Sequence, residues 1–77
     1  MIKVTLRSFA EKWPSPYVSR TEVRQFSGGI LNEKTLANLD SQGAGPPGRI
    51  RCGRKIAYKV DQLVEWLESR TVSLDEK

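Results

Sequence analysis

The segment NEKTLANLDSQ, residues 32–42, decides how the rest of the chain can fold. Asn32 is a favoured helix N-cap, and Gly43 directly after the segment favours the end of a helix. Between them, Leu36 and Leu39 recur at helical spacing and would form one buried face. The opposite face would carry short polar and basic side chains, Lys34, Asn38 and Ser41. The segment therefore predicts a short amphipathic helix with a polar exposed face.

A second helical pattern lies directly upstream. Ser19 opens it, and Glu22 three residues later completes a capping box. Gly28–Gly29 would end this helix, because glycine readily adopts the left-handed conformation of a helix C-cap. The residues expected to point inward are Val23, Phe26, Ile30 and Leu31. Two helices joined by a glycine turn are therefore predicted in the centre of the chain.

The N-terminal region predicts a strand and one helical turn. Apolar and polar residues alternate over Ile2–Leu6, which is the spacing of a half-buried strand. Ser8 and Glu11 have the spacing of another capping box. Phe9 and Trp13, four residues apart, would share a helix face. We expect Trp13 to lie in the core rather than to stack on a nucleic-acid base.

A rigid corner and a hairpin follow the central helix. The proline-rich segment Ala44–Gly48 is unsuited to helix or central strand. The apolar residues of the two strands after it are Ile50, Cys52, Ile56 and Tyr58. For all four to be buried together, position 52 must oppose 56 and position 50 must oppose 58. This register predicts a three-residue tip, residues 53–55, rather than a two-residue turn.

Basic residues are concentrated in this hairpin and in the first part of the chain. Residues 1–60 carry eleven Lys or Arg against four acids, and residues 61–77 carry two against five. Such asymmetry favours a polyanionic partner on one side, although a solvated basic surface or a charge-protected edge strand would also explain it. The hairpin bases are Arg49, Arg51, Arg54, Lys55 and Lys59.

Asp61 is predicted to cap the C-terminal helix, which would close the core. Its apolar stripe would be Leu63, Trp66 and Leu67, with Val64 at the margin. Trp66 would be the central core residue. Trp66 is expected to pack on Tyr58, Ile50 and Leu36. The predicted fold class is α+β, mainly α: a winged helix-turn-helix with a two-stranded hairpin wing and a C-terminal packing helix. Residues 1–70 would form one domain, and residues 71–77 a flexible tail.

Composition argues against several classes of protein. A single cysteine, Cys52, and no histidine leave no internal disulfide and no metal site. We expect no cofactor and no enzymatic activity, because the chain lacks a phosphate-binding glycine loop and its glutamates fit first helical turns. No long apolar run predicts a signal peptide or a membrane span. The expected location is the cytoplasm.

The run GRKIAYKVDQLVEWL, residues 53–67, resembles the wing and closing helix of small bacterial excisionase and AlpA-type regulators in the MerR-like winged-helix group. The matching positions are Gly53, Arg54, Ile56, Tyr58, Leu63, Trp66 and Leu67, preceded by Ser19, Glu22, Asn32, Thr35, Leu36, Gly43, Pro46 and Pro47. The resemblance covers residues 18–70. Ala37 departs from it, since MerR relatives often carry an arginine there. The long dimerising helix and effector domain of MerR activators have no counterpart, so no small-molecule effector is implied.

The resemblance implies a double-stranded DNA-binding protein associated with the nucleoid. It would be an excisionase-like architectural factor of a prophage or mobile element, or a small transcriptional regulator. An integrase or further copies of the chain are candidate partners. The predicted base contacts are Lys34, Thr35, Asn38 and Ser41. The predicted phosphate contacts are Arg20, Arg24, Arg49, Arg51, Arg54 and Lys55.

Two other functions fit the sequence. A winged helix can dock or dimerise without binding DNA, and the Ile2–Leu6 strand could pair with a second chain. A small terminase-like packaging adaptor, which also uses this type of domain, would lie between this function and DNA binding.

Overall fold

The structure, a computed structural model, describes residues 5–74 of the 77-residue chain. It confirms an α+β fold, with four α-helices and a three-stranded antiparallel sheet of order β1-β3-β2 across this range. The helices are α1 (Arg7–Lys12), α2 (Val23–Phe26), α3 (Glu33–Ser41) and α4 (Val60–Ser69). The strands are β1 (Tyr17–Ser19), β2 (Ile50–Cys52) and β3 (Lys55–Lys59). A 3₁₀ turn over residues 20–22 leads into α2.

The central helix forms where its caps predict. The side chain of Asn32 accepts a hydrogen bond of 2.8 Å from the backbone N–H of Thr35. Leu36 is fully buried, Leu39 is half-buried, and Gly43 follows the helix with a φ of +74°. Local capping chemistry and the leucine spacing therefore confirm the predicted helix.

The turn between α2 and α3 also follows the prediction, with one exception. Gly28 and Gly29 have φ values of +66° and +93°, and the Gly29 N–H donates to the carbonyl of Arg24 over 2.8 Å. Leu31 is buried, but Ile30 remains 62% exposed, so its predicted burial is wrong. Only one of the two apolar turn residues reaches the core.

The hairpin register differs from the prediction. The observed pairs are Ile50 with Ala57, Arg51 with Ile56, and Cys52 with Lys55. The tip therefore has two residues, Gly53 and Arg54, and the predicted three-residue tip is wrong. Gly53 has a φ of +62°, which suits the first central position of a tight two-residue turn. As a consequence, Ile50 and Cys52 are exposed rather than buried.

The sheet gains a strand that the sequence did not predict. β1 pairs with the other edge of β3, and Val18 lies opposite Tyr58. Both side chains are completely buried, and they form the sheet side of the core. The predicted two-stranded hairpin is therefore part of a three-stranded sheet, with β3 in the centre.

Tyr58, rather than Trp66, is the buried aromatic residue at the centre of the core. Trp66 is half-buried at the edge, where its ring N–H donates to the carbonyl of Ala44 over 3.3 Å. Val64, expected at the margin, is 2% exposed and replaces it in the apolar stripe. The predictions of Trp66 as the core residue and of Asp61 as the helix cap are both wrong, since α4 already begins at Val60.

The aromatic residues of the first helix share one face, as predicted, but Phe9 and Trp13 are only half-buried at the edge of the core, and the helix begins differently. The rings of Phe9 and Trp13 contact Phe26 edge-on, with centroid distances of 5.8 and 5.4 Å. The helix starts at Arg7 rather than after a Ser8 cap. The Leu6 N–H donates instead to the buried carboxylate of Glu68 over 2.7 Å, which ties this end of the chain to α4.

Parts of two predictions lie outside the described residues. Most of the predicted strand Ile2–Leu6 falls on residues 1–4, and the end of the predicted tail falls on residues 75–77. Within the described tail, the Thr71 hydroxyl donates to the Leu67 carbonyl over 2.6 Å. The longest helix between residues 5 and 74 has ten residues, and none there is long and apolar enough to cross a membrane.

Candidate nucleic-acid interface

The exposed face of α3 carries the four residues predicted to read bases. Lys34, Thr35, Asn38 and Ser41 are all exposed. The Ser41 hydroxyl donates to the Asn38 carbonyl within the same helix over 2.8 Å. The Asn38 side chain offers both a donor and an acceptor, the combination that can pair with the edge of adenine. A short polar helix face is therefore presented to solvent next to the sheet.

An open cleft of about 430 Å³ separates α3 from β2. Ala37 and Ser41 line its helix side, and Arg49 and Arg51 line its sheet side. Arg51 pairs with Ile56, so by strand alternation it belongs to the sheet face that also bears the buried Tyr58. The observed register therefore turns Arg51 toward α3, which the predicted register did not.

A narrower groove of about 110 Å³ brings the hairpin tip close to the start of α3. Its lining includes Arg54 and Lys55 from the hairpin, Glu33 from α3, and Thr21 from the 3₁₀ turn. Basic residues of the hairpin therefore approach both ends of α3, along the flank of the helix that carries Glu33, Ala37 and Ser41. One acid, Glu33, accompanies the two bases at the tip.

A buried network connects these elements through Asp40, whose side chain is only 4% exposed. Its Oδ2 atom accepts hydrogen bonds of 2.6 Å from the Tyr58 hydroxyl and from Nη2 of Arg20. The Tyr58 hydroxyl in turn accepts a hydrogen bond of 3.0 Å from Nε of Arg20. On the other carboxylate oxygen, Oδ1, Nη1 of Arg49 forms an ion pair at 3.2 Å. Asp40 thus joins α3 to the 3₁₀ turn, to β3 and to the residue before β2.

The network shifts the ionisation of its members. The hydrogen bond to Tyr58, reinforced by Asp40, raises the pKa of Arg20 above its ordinary value. Burial, together with the hydrogen bond to Asp40, raises the pKa of Tyr58 to about 12. The tyrosine therefore stays neutral, and remains a donor to Asp40, at any pH where the protein is expected to work.

This shift predicts a specific loss of stability at high pH. The folded-state pKa of Tyr58 is about 12 and its ordinary value is 10.0. The stabilisation from keeping the hydroxyl protonated is complete below pH 10 and disappears as the pH rises toward 12, amounting to about 3 kcal/mol for two pKa units. We expect urea unfolding to show Tyr58→Phe less stable than wild type at pH 8, with the gap closing toward pH 12. A gap that does not narrow would contradict this assignment.

The structure separates the predicted phosphate contacts into groups. Arg49, Arg51 and Arg54 line the grooves beside α3. Arg20 is largely committed to Asp40 and Tyr58, with a side chain 21% exposed. Arg24 is exposed on α2. Lys55 is paired with Cys52, so its side chain starts from the sheet face opposite to that of Arg51.

Sequence reasoning missed Asp40 and the role of Tyr58 in the network. A signal was present, because Asp40 falls between Glu33 and Leu36 on the helical wheel, on the apolar side of α3. An acid at such a position needs a buried cation or hydrogen-bond donor. Arg20 and Arg49 were available as partners but were assigned to DNA alone.

Two further observations concern possible metal ligands and the similarity of the chain to known proteins. Among residues 5–74, no group of three His, Cys, Asp or Glu side chains is arranged to hold a metal ion. Comparisons with protein-family models and with curated proteins find no match for this chain. The functional interpretation therefore depends on the residues and on their arrangement.

Proposed function

We propose that the protein binds double-stranded DNA as a winged helix-turn-helix domain. In this proposal α2 and α3 form the helix-turn-helix, α3 enters the major groove, and the β2–β3 hairpin acts as the wing. The domain performs no chemistry of its own. Its role would be that of an excisionase-like architectural factor or a small transcriptional regulator, as the sequence resemblance implies.

The observation that carries the proposal is the shared cleft between α3 and β2. Ala37 and Ser41 of α3 face Arg49 and Arg51 across it. A helix that reads bases must lie beside groups that hold the backbone, because phosphate contacts fix the orientation in which base edges are read. Lys34 and Asn38 are exposed on the same helix and would provide the base contacts, with Thr35 and Ser41 beside them.

The distribution of charge supports the same orientation. Arg51 and Arg54 approach α3 from the hairpin, and Arg24 adds an exposed base on α2. In contrast, the exposed acids Asp61 and Glu65 belong to α4. A duplex held against α3 and the hairpin would therefore meet more basic than acidic side chains.

A salt titration with matched variants tests this proposal. Arg51→Gln removes one base from the α3 side of the sheet, whereas Lys59→Gln removes one from the opposite face. We expect Arg51→Gln to weaken binding to every duplex and to reduce the slope of log K against log salt by about one unit. Lys59→Gln should leave the slope unchanged. Equal effects of the two variants, or no measurable wild-type binding at low salt, would refute the proposed interface.

A protein-interaction module remains the second candidate because of the uncovered outer face of the sheet. Tyr17 and Ile50 lie on this face and are 38% and 43% exposed. Light scattering distinguishes the two functions. A tight homodimer that lacks affinity for DNA would favour the interaction module, and a monomer that binds duplex DNA would favour the proposed function.

A further inference from the structure

The carboxylate of Asp40 is shared unequally between two arginines. Oδ2 takes short hydrogen bonds of 2.6 Å from Arg20 and from Tyr58, which fix it in the interior. Oδ1 lies 3.2 Å from Nη1 of Arg49 and accepts no hydrogen bond within the described residues. The Arg49 side chain is 49% exposed, compared with 21% for Arg20. Arg49 thus contacts Asp40 at the surface, whereas Arg20 is mostly buried against it.

The position of Arg49 places its contact with Asp40 at the cleft between α3 and β2. It follows the corner Pro46–Pro47–Gly48 and lines the cleft with Arg51 and Ser41. Three arginines and one carboxylate line this cleft, so two positive charges remain after Asp40 has offset Arg20. A single phosphate group of the DNA backbone carries one negative charge and two non-bridging oxygens, which can accept hydrogen bonds from two guanidinium groups.

Asp40 can also lower the cost of ordering Arg49. An arginine side chain loses considerable rotamer freedom when it is fixed on a ligand, and that loss weakens binding. A contact with Oδ1 restricts the guanidinium to the cleft before any ligand arrives. Gly45 leaves room for this oxygen, because a Cβ atom at position 45 would clash with Oδ1 and force it to move.

We propose that Asp40 is a positioning residue for DNA-backbone binding: it holds Arg49 at the cleft between α3 and β2, where Arg49 and Arg51 bind one phosphate group. The inference rests on the proposed DNA-binding function and adds a specific site to it. Asp40 itself does not contact the DNA. The alternative is that Asp40 merely neutralises Arg49. In that case removal of the Asp40 charge would increase the affinity for DNA, whereas a positioning role predicts a decrease.

Asp40→Asn distinguishes the two views. The amide keeps the size of the side chain and an acceptor for Tyr58 but loses the charge that holds Arg49. Measured by fluorescence anisotropy with a short mixed-sequence duplex at low salt, we expect Asp40→Asn to bind about tenfold more weakly, the effect of one charge-assisted contact. Arg49→Gln should weaken binding similarly. The double variant should be no weaker than Arg49→Gln alone, because both changes remove the same contact.

Tyr58→Phe is the matched control for loss of stability. It removes a hydrogen bond to Oδ2 but leaves the contact between Oδ1 and Arg49, so its affinity for DNA should remain within about twofold of wild type.

If Asp40→Asn does not fold, Arg49→Lys replaces it as the test. Lysine keeps the charge but lacks the planar fork that can reach a carboxylate and a phosphate together, so Arg49→Lys should bind DNA more weakly than wild type but more tightly than Arg49→Gln.

Several results would overturn the inference. Asp40→Asn binding as tightly as wild type, or more tightly, would show that the carboxylate only neutralises Arg49. Fully additive effects of Asp40→Asn and Arg49→Gln, or Arg49→Lys binding like wild type, would equally exclude a positioning role. Wild-type protein that fails to bind any duplex at low salt would refute the proposed function itself, and with it this inference.

A measurement without DNA separates these failures. In NMR spectra of the wild-type protein, the guanidinium protons of Arg49 should exchange with water more slowly than those of Arg24, which is exposed on α2. Asp40→Asn should abolish this difference. Its absence in wild type would show that Arg49 is not held and would overturn the inference even if DNA binding is normal.

Discussion

Reversing the charges of Arg51 and Arg54 together is expected to reduce affinity for duplex DNA by roughly 100-fold or more at low salt. Arg51 lines the cleft beside the C-terminal half of α3, and Arg54 lines the groove near its start. Each glutamate would remove an attractive contact and add repulsion from the same phosphate. The loss should be similar for all duplex sequences, because these side chains are proposed to contact the backbone rather than bases.

A variant with the same net charge controls for nonspecific electrostatics. Lys12→Glu with Lys59→Glu makes an equal change, but Lys12 is exposed on α1 and Lys59 lies on the outer face of the sheet. We expect this variant to lose far less affinity than the Arg51 and Arg54 pair. Comparable losses in anisotropy titrations would mean that binding follows overall charge, and the assigned interface would be wrong. Circular dichroism verifies that both variants are folded.

The parts of the fold that depend on local chemistry were predictable from the sequence. Asn32 and Gly43 bound α3 as expected, and Gly28–Gly29 end the preceding helical segment. Caps and glycine turns depend on residues within a few positions of one another, so the sequence alone contains the relevant contacts. The same reasoning failed at Ser8, where the helix begins already at Arg7, and the N–H of the preceding Leu6 donates to the distant Glu68.

The hairpin shows how a tertiary assumption can mislead. The predicted register required Ile50 and Cys52 to be buried together with Tyr58. In the structure, Gly53 favours a two-residue turn, and the core is completed instead by Val18 from the unpredicted strand β1. A three-residue β1 has little sequence signal of its own, and its pairing with β3 depends on contacts some forty positions away. The turn chemistry was therefore a better guide than the apolar pattern.

The sequence predicted which residues of the candidate interface are exposed, but it did not predict which arginines pair with Asp40. Exposure of Lys34 and Asn38 followed from the helical wheel, as did the burial of Leu36. The division among the arginines did not, because it depends on which of them reaches Asp40. The available sequence signal was Asp40, an acid on the apolar side of α3. Such an acid indicates that some basic residues stabilise the fold by pairing with it and are not all available to bind a ligand.

Replacing Asp40 with alanine should cost the protein about 3–5 kcal/mol of unfolding free energy. The change leaves the Tyr58 hydroxyl, in a fully buried side chain, without its acceptor, and it leaves Arg20 mostly buried without a counter-charge. The penalty for an unpaired buried charge exceeds the value of the lost contact itself, because that charge had already been removed from water. A domain of this size is expected to have a total stability of only about 3–5 kcal/mol, so the variant should be largely unfolded at room temperature.

Urea unfolding at neutral pH measures this effect, and the rest of the network explains its size. Glu65→Ala, which removes an exposed acid from α4, should change the unfolding free energy by less than about 0.5 kcal/mol. Tyr58→Phe should cost about 1–3 kcal/mol, since it removes two hydrogen bonds, one to Asp40 and one from Arg20, and leaves the ion pair of Arg20 with Asp40 intact. Asp40 links α3 to the 3₁₀ turn, to β3 and to Arg49. If Asp40→Ala loses the most unfolding free energy, Tyr58→Phe less and Glu65→Ala the least, Asp40 is the residue that fixes α3 against the sheet. A cost below about 1 kcal/mol for Asp40→Ala would contradict that conclusion, since a freely relaxing surface pair contributes no more than this.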